Sequence, residues 1–215
     1  MSAEKFLLIG KRLCLSFRNL RGFYLVPIVY LYGFVPLLNF LTISQYGVTE
    51  RAFTIISADM QKYIPFMSAW WVIFILKEYV EGDGCEVLYV YKSRMTLIVL
   101  SICLWYVLHI SILMLIYSCI FTNIDWGLVR LAAQSLFFTS MAYFFVFLFR
   151  SISIPLMLVF LGEMIFFFGR FPISIFSPQR AISIAALSRE IWVLGAAILF
   201  TFLGDRLCKH YMGLK

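Results

Sequence analysis

"MTLIVLSICLWYVLHISILMLIYSCIFT", Met95 to Thr122, runs for 28 residues without one Asp, Glu, Lys or Arg. Wound as an α-helix at about 1.5 Å per residue it outruns the ~30 Å hydrocarbon core of a bilayer, so it can cross with some tilt. It lacks the apolar–polar alternation that a strand of a membrane β-barrel would need. The stretch reads as a membrane helix, and the rest of the chain agrees with it. Of 215 residues, 63% are hydrophobic and 13% charged, against about 45–50% and about 25% in soluble domains. A water-soluble core of this length could not hide so much Phe, Leu and Ile.

Outward from that stretch, five more apolar runs stand out: Gly22–Ile43, Tyr63–Leu76, Leu131–Phe149, Ser151–Phe168 and Ile191–Gly204. The second and sixth are short. The second must extend backward from Lys62 or forward past Glu78, and the sixth should begin earlier, near Ala181. Arg150 alone separates the fourth and fifth runs, which requires a tight turn there. The expected fold is an all-α integral membrane protein of about six transmembrane helices, in one domain over 1–215. An amphipathic interfacial helix covers 1–21, the spans cover 22–204, and a tail covers 205–215. No small-residue cleavage site precedes the first span, so no cleaved leader is expected.

The net charge of +7 is mostly a topology signal. With an even number of spans both termini share a side. That side carries Lys5, Lys11, Arg12, Arg18, Arg21, Lys77, Lys92, Arg94, Arg150, Arg206, Lys209 and Lys215. The other carries Arg51, Lys62, Arg130, Arg170, Arg180 and Arg189. Twelve against six puts both termini in the cytoplasm of a multi-pass cell-membrane protein. The cations flank spans and form no separate basic domain, so nucleic acid is not an expected partner. In the first segment Phe6, Ile9, Leu13, Phe17 and Leu20 share one face while Lys11, Arg12, Arg18 and Arg21 point away. Such a helix lies among membrane lipids at the interface, as an anchor or also as a contact for a cytoplasmic partner.

"EYVEGDGCEVLYVYKSR", Glu78 to Arg94, then becomes a cytoplasmic loop between spans two and three. Gly82, Asp83 and Gly84 mark a break, after which a short helix would gather Val87, Val90 and Tyr91 on one side. An apolar and aromatic patch there points to a protein partner, the plain alternative being an ordinary polar hairpin.

The layout resembles the ABC-2 type permease family, the membrane half of many ATP-binding-cassette exporters. Members have an amphipathic N-terminal helix, six spans, and a loop after the second span with acids, a Gly, Glu-x-Leu and Ser-Arg. Glu78, Glu81, Gly82, Glu86, Leu88, Ser93 and Arg94 stand in that order here, although the proline often found before Ser-Arg is absent. The resemblance implies that Glu78, Glu81, Gly82, Glu86, Leu88, Tyr91 and Arg94 form a coupling helix that docks on an ATPase. It also implies a dimer, expected to be a homodimer, with two copies of a separate cytoplasmic ATPase that binds the ATP and Mg. Export is the family's usual direction. The stretch Gly169–Glu190, too apolar for an aqueous loop and interrupted by Pro172, Pro178 and Arg180, resembles the family's short outward-facing helices before the last span. A longer sixth helix is the simpler account of it.

Within the spans the chemistry is sparse. Glu163 is the one acid well inside a span. It could bind a cationic cargo or relay protons, or pair with Arg170 two helical turns on. His109 reads as a hydrogen-bonded interior histidine, and Asn39, Gln134, Thr139 and Ser140 as interhelical hydrogen-bonding residues. Cys14, Cys85, Cys103, Cys119 and Cys208 show no metal-ligand spacing, and no P-loop, GxSxG or HExxH is present. The chain is therefore expected to be no enzyme and to carry no cofactor or metal of its own. The apolar spans favour a hydrophobic or amphipathic cargo, such as an exported peptide or bacteriocin. The alternative is a non-transporting scaffold or immunity protein that sequesters a partner.

Overall fold

The structure, a computed structural model, describes residues 10–11, 14–82, 95–120, 127–168 and 184–211. Every regular element among them is helical. A helical stretch over 14–19 leads to buried Leu20 and then to Arg21, whose φ of 47° bends the chain into the first long helix, α1 (Arg21–Tyr46). Left-handed backbone is unusual for a residue with a β-carbon, so this corner is fixed by what packs around it. Leu20 and Phe17 turn inward while Arg18 is exposed, as the amphipathic pattern predicts.

Helix α1 is not uniform. Tyr30–Phe34 forms a π-helical turn. The cause lies two residues on: Pro36 has no N–H for the Tyr32 carbonyl, and its ring crowds the turn before it. Gly47, with φ 66°, ends the helix in the left-handed conformation that glycine adopts freely. Thr49 then opens α2 (Glu50–Tyr63) by accepting a hydrogen bond from the Ala52 N–H at 3.3 Å. Helix α2 buries Ala52, Ile56 and Met60 at four-residue spacing and breaks at Pro65, where Pro65–Met67 makes a 3-10 turn. Helix α3 (Ser68–Val80) follows. The second apolar run is thus completed forward, past Glu78, and the residues before Lys62 belong to a separate amphipathic helix.

The remaining helices are α4 (Met95–Ser118), α5 (Gly127–Phe149), α6 (Ser153–Phe168) and α7 (Ile184–Tyr211). Helix α7 starts well before Ile191, as the shortness of the last run demanded. Arg150, with φ 49°, makes the tight turn between α5 and α6. Among the described residues, four helical stretches are long and apolar enough to cross a membrane: α1, α4, α5 and Glu190–Tyr211 within α7. The apolar part of α6, Ser153–Met164, is shorter. The chain is an all-α membrane protein.

Helix α5 is the hub, packed on α2, α3, α4, α6 and α7. Of its most apolar window 61% is buried, against 22% for α1 and for α7. Its inner face mixes Phe138, Ala142, Val146 and Phe147 with a polar seam of Gln134, Ser135, Thr139 and Ser140, all buried. Two hydrogen bonds tie this face to its neighbours, while Ser135 Oγ and Thr139 Oγ1 find no hydrogen-bond partner among the described residues. Ser68 Oγ donates to the Ser135 carbonyl at 2.9 Å, and the Thr201 and Ser140 hydroxyls meet at 2.9 Å. Lipid offers no hydrophobic drive for helices to pair, so close approach and such bonds must supply it.

At Gly204 α7 lies tight against α5. A β-carbon there would stand 2.6 Å from Cδ1 of Tyr143, a fully buried ring. Gly204→Leu should therefore destabilise the protein by about 2 kcal/mol or more, as overpacking does. The check is the melting temperature in detergent. An unchanged value would mean the two helices do not meet in this register.

Candidate functional site

One end of the bundle gathers the 14–20 segment, the end of α3, the start of α4, the α5–α6 corner and the end of α7. Side chains fasten these pieces together. The Trp70 and Trp71 indole N–H groups donate to the carbonyls of Phe23 and Tyr24, at 3.2 and 3.1 Å, and so fix the start of α1 against α3. Asn19 Nδ2 donates to Glu78 Oε2 at 3.5 Å. Thr96 Oγ1 donates to Asp205 Oδ1 at 2.8 Å, and Lys209 pairs with the other oxygen of Asp205 at 2.5 Å. The Arg150 guanidinium lies 3.8 Å from the ring centre of Tyr211, a cation–π contact that joins the α5–α6 corner to the end of α7. Described residues near both termini therefore lie at the same end.

Glu81 is the central link. It follows α3 directly, and its Oε1 accepts a hydrogen bond at 2.8 Å from the N–H of Ile152, the residue before α6 begins. The first N–H groups of a helix have no partner within it, and a carboxylate there also meets the positive end of the helix dipole. Glu81 thus serves α6 as a cap delivered from another helix. Gly82 has its own reason to be glycine: a β-carbon would stand 2.5 Å from the Glu78 carbonyl oxygen in the last turn of α3. Glu78 is exposed on that same turn. Of the other coupling residues, Glu86, Leu88, Tyr91 and Arg94 lie outside the described residues.

Asn19, Thr96, Ile152, Asp205 and Tyr211 belong to this assembly, and sequence reasoning missed them as members. Each acts across the fold, at separations such as the 71 residues between Glu81 and Ile152, so no local spacing could reveal it.

At the opposite end a second polar group joins three helices. Arg130 Nε of α5 pairs with Glu190 Oε1 of α7 at 2.9 Å, and its Nη1 donates to Gln61 Oε1 of α2 at 3.4 Å. Between the two ends, His109 on α4 meets the Tyr32 hydroxyl through Nδ1 at 3.1 Å and lies against the rings of Trp71 and Trp105. Its Nδ1 is hydrogen-bonded, as expected, while Nε2 is buried without a hydrogen-bond partner among the described residues. Asn39 Nδ2 donates to the Tyr117 hydroxyl at 2.7 Å. Gln134 Oε1, by contrast, is buried without a partner among the described residues.

Glu163 projects from α6, half-buried, within electrostatic reach of the Tyr30 and Tyr63 hydroxyls. Arg170, its other expected partner, lies outside the described residues. Cys103 and Cys208 are buried free thiols and Cys14 and Cys119 exposed ones. Among the described residues no three His, Cys, Asp or Glu side chains come together as a metal site would require. No protein-family model, curated protein or solved structure matches the chain.

Proposed function

We propose that this chain is the membrane-spanning subunit of an ATP-binding-cassette exporter, worked by a separate cytoplasmic ATPase that docks on the 78–94 loop. The observation that carries this reading is the Glu81 link. The loop hangs between α3 and α4, and Glu81 at its root grips the start of α6. A partner that moved the loop would displace three helices at once, and Asn19 on Glu78 would pass the motion to the N-terminal segment. That is the mechanical requirement for coupling ATP hydrolysis to a pathway through the bundle.

The charge distribution supports a cytoplasmic position for this end. Among the described residues Arg18, Arg21, Lys77, Arg150, Arg206 and Lys209 flank it, against Arg51, Lys62, Arg130 and Arg189 at the other. In this reading the functional unit holds two permease chains, a homodimer, and two ATPases that bind ATP and Mg. Exposed apolar faces of α1 and α7, with Leu37, Phe40, Ile191, Trp192 and Ile198 outward, supply lipid-facing or chain-pairing surface. The cargo is hydrophobic or amphipathic, a peptide such as a bacteriocin being the best fit to walls so poor in charge.

The deciding experiment is purification of the tagged chain from its native membrane. Copurification of an ATPase supports the exporter; its absence, with only monomeric chain recovered, sinks it and favours the scaffold or immunity alternative. Within the exporter, Glu81→Ala should remove the α6 cap at a cost of about 1 kcal/mol while leaving the complex assembled. Its transport per ATP hydrolysed should fall severalfold. Reconstituted vesicles measure both quantities, and an unaltered ratio would reduce Glu81 to a structural cap.

A further inference from the structure

Ten residues of α6 separate Ser153 from Glu163, about 15 Å of helix, which is half the ~30 Å thickness of a hydrocarbon core. An acid at that depth faces lipid, protein or a ligand, and bare exposure to lipid is the most costly of the three. Among the described residues no Lys, Arg or His pairs with Glu163. Its surroundings are aromatic instead. Phe160, one turn back on α6, meets the edge of Phe66 at 5.8 Å. Phe66 meets Tyr30 at 5.9 Å, Tyr30 stacks on Phe34 at 5.2 Å, and Phe34 meets Tyr63 at 6.5 Å. Five rings thus run continuously, with Phe160 one turn from Glu163 and the Tyr30 and Tyr63 hydroxyls within electrostatic reach of its carboxylate.

The backbone is irregular at the same place, twice over. Tyr30 and Phe34 are the first and last residues of the π-helical turn in α1, and Tyr63 and Phe66 flank the break between α2 and α3. The break is a built feature. Carbonyls at the break also receive side-chain hydroxyls, Tyr106 at Ile64 and Ser68, which is shared with the Ser135 carbonyl, at Pro65, both at 2.6 Å. Non-helical backbone at membrane depth survives where protein or a cavity covers it, and discontinuous helices in transporters mark the binding site. The group also opens sideways. Phe66 is buried, but Phe34 and Phe160 are 43% and 40% exposed, so a molecule dissolved in the leaflet can reach it.

We propose that Glu163 and the rings of Tyr30, Phe34, Tyr63, Phe66 and Phe160 bind the positive group of a lipophilic organic cation. Aromatic faces attract an alkylammonium or similar cation, and the carboxylate supplies the opposite charge in a medium that screens little. A metal ion is the wrong occupant, because one carboxylate and two phenols do not replace the six or more oxygens that a hard cation takes. The assignment deepens the exporter reading by naming the class of its cargo: amphipathic, with a weakly hydrated positive head.

Two ions of nearly equal shape and opposite charge test this, tetraphenylphosphonium and tetraphenylborate. The purified full chain in lipid nanodiscs should bind tetraphenylphosphonium saturably and tetraphenylborate only by partition into lipid. Glu163→Gln should weaken tetraphenylphosphonium binding by about tenfold or more, and Phe66→Leu severalfold, with melting temperatures near that of the parent. If Glu163→Gln unfolds the chain, Phe34→Leu, at a half-exposed position, carries the test in its place. Non-saturable binding, equal binding of both ions, or unchanged affinity in the folded variants overturns the proposal. So does an Arg170→Gln variant whose stability falls with Glu163→Gln in a coupled way, since Glu163 would then be occupied by Arg170. No ATPase is needed for any of these measurements, so their failure is distinct from failure of the exporter reading.

Discussion

Trp71→Ala should unfold this protein at a markedly lower temperature than its parent, with a loss on the order of 3 kcal/mol or more. Trp71 is wholly buried in the first turn of α3. Its ring stacks on Tyr24 at 5.3 Å and meets the edges of Phe17 at 5.5 Å, Tyr106 at 5.7 Å and His109 at 6.0 Å. One side chain therefore joins the N-terminal segment, α1, α3 and α4. Lipid is as apolar as the site, so transfer from water contributes little; the loss is of packing contacts and of the bond to the Tyr24 carbonyl. Trp71→Phe keeps most of the packing and drops only that bond, which costs about 1 kcal/mol. Thermal melts in detergent should rank parent, Trp71→Phe and Trp71→Ala in that order. Equal melting of the two variants would mean that the indole bond, not the ring, holds the corner.

The second large effect is at the other end. Glu190→Ala strips the Arg130 guanidinium of its carboxylate in a setting where the two side chains are 15% and 18% exposed. Removing one partner of a largely buried pair costs about 3 kcal/mol, because the remaining charge keeps its desolvation and loses that one partner. Replacing both, Arg130→Leu with Glu190→Leu, should recover a good part of that loss. A double-mutant cycle on melting stability reads this directly. Strictly additive effects of the two single changes would show that the 2.9 Å pair contributes nothing beyond its separate residues.

Much of the architecture was legible from one-dimensional pattern. A long uncharged run such as Met95–Thr122 has only one way to satisfy its backbone in lipid, so its helix was forced. The corner at Arg150 and the early start of α7 followed from lengths alone. Helix breaks were less legible. Pro65 signals one in principle, yet the apolar run continues through it, and hydrophobicity masked the change from α2 to α3. The π-turn at Tyr30–Phe34 leaves no compositional mark at all. For the candidate site the limit is different. The acids after the second span drew attention as a surface for a partner, but Glu81 spends one oxygen on Ile152, and that pairing depends on how α6 lies beside α3. Hydrogen bonds such as Asn39 to Tyr117 were expected in kind, from polar residues within spans, but not in partner.

The polar seam of α5 has a consequence in time. Chains enter the membrane in the order they are synthesised, and Thr201, which meets the Ser140 hydroxyl, comes 61 residues later. Ser68, which binds the Ser135 carbonyl, is already in place when α5 emerges. The hub helix is therefore delivered with one flank matched and the other bare. Until α7 leaves the ribosome and is released into the bilayer, that flank carries hydroxyls among acyl tails, and the slot that Gly204 fills stands open beside Tyr143. An interrupted chain would leave that hydroxyl and that slot uncovered, and arrival of the last helix closes both.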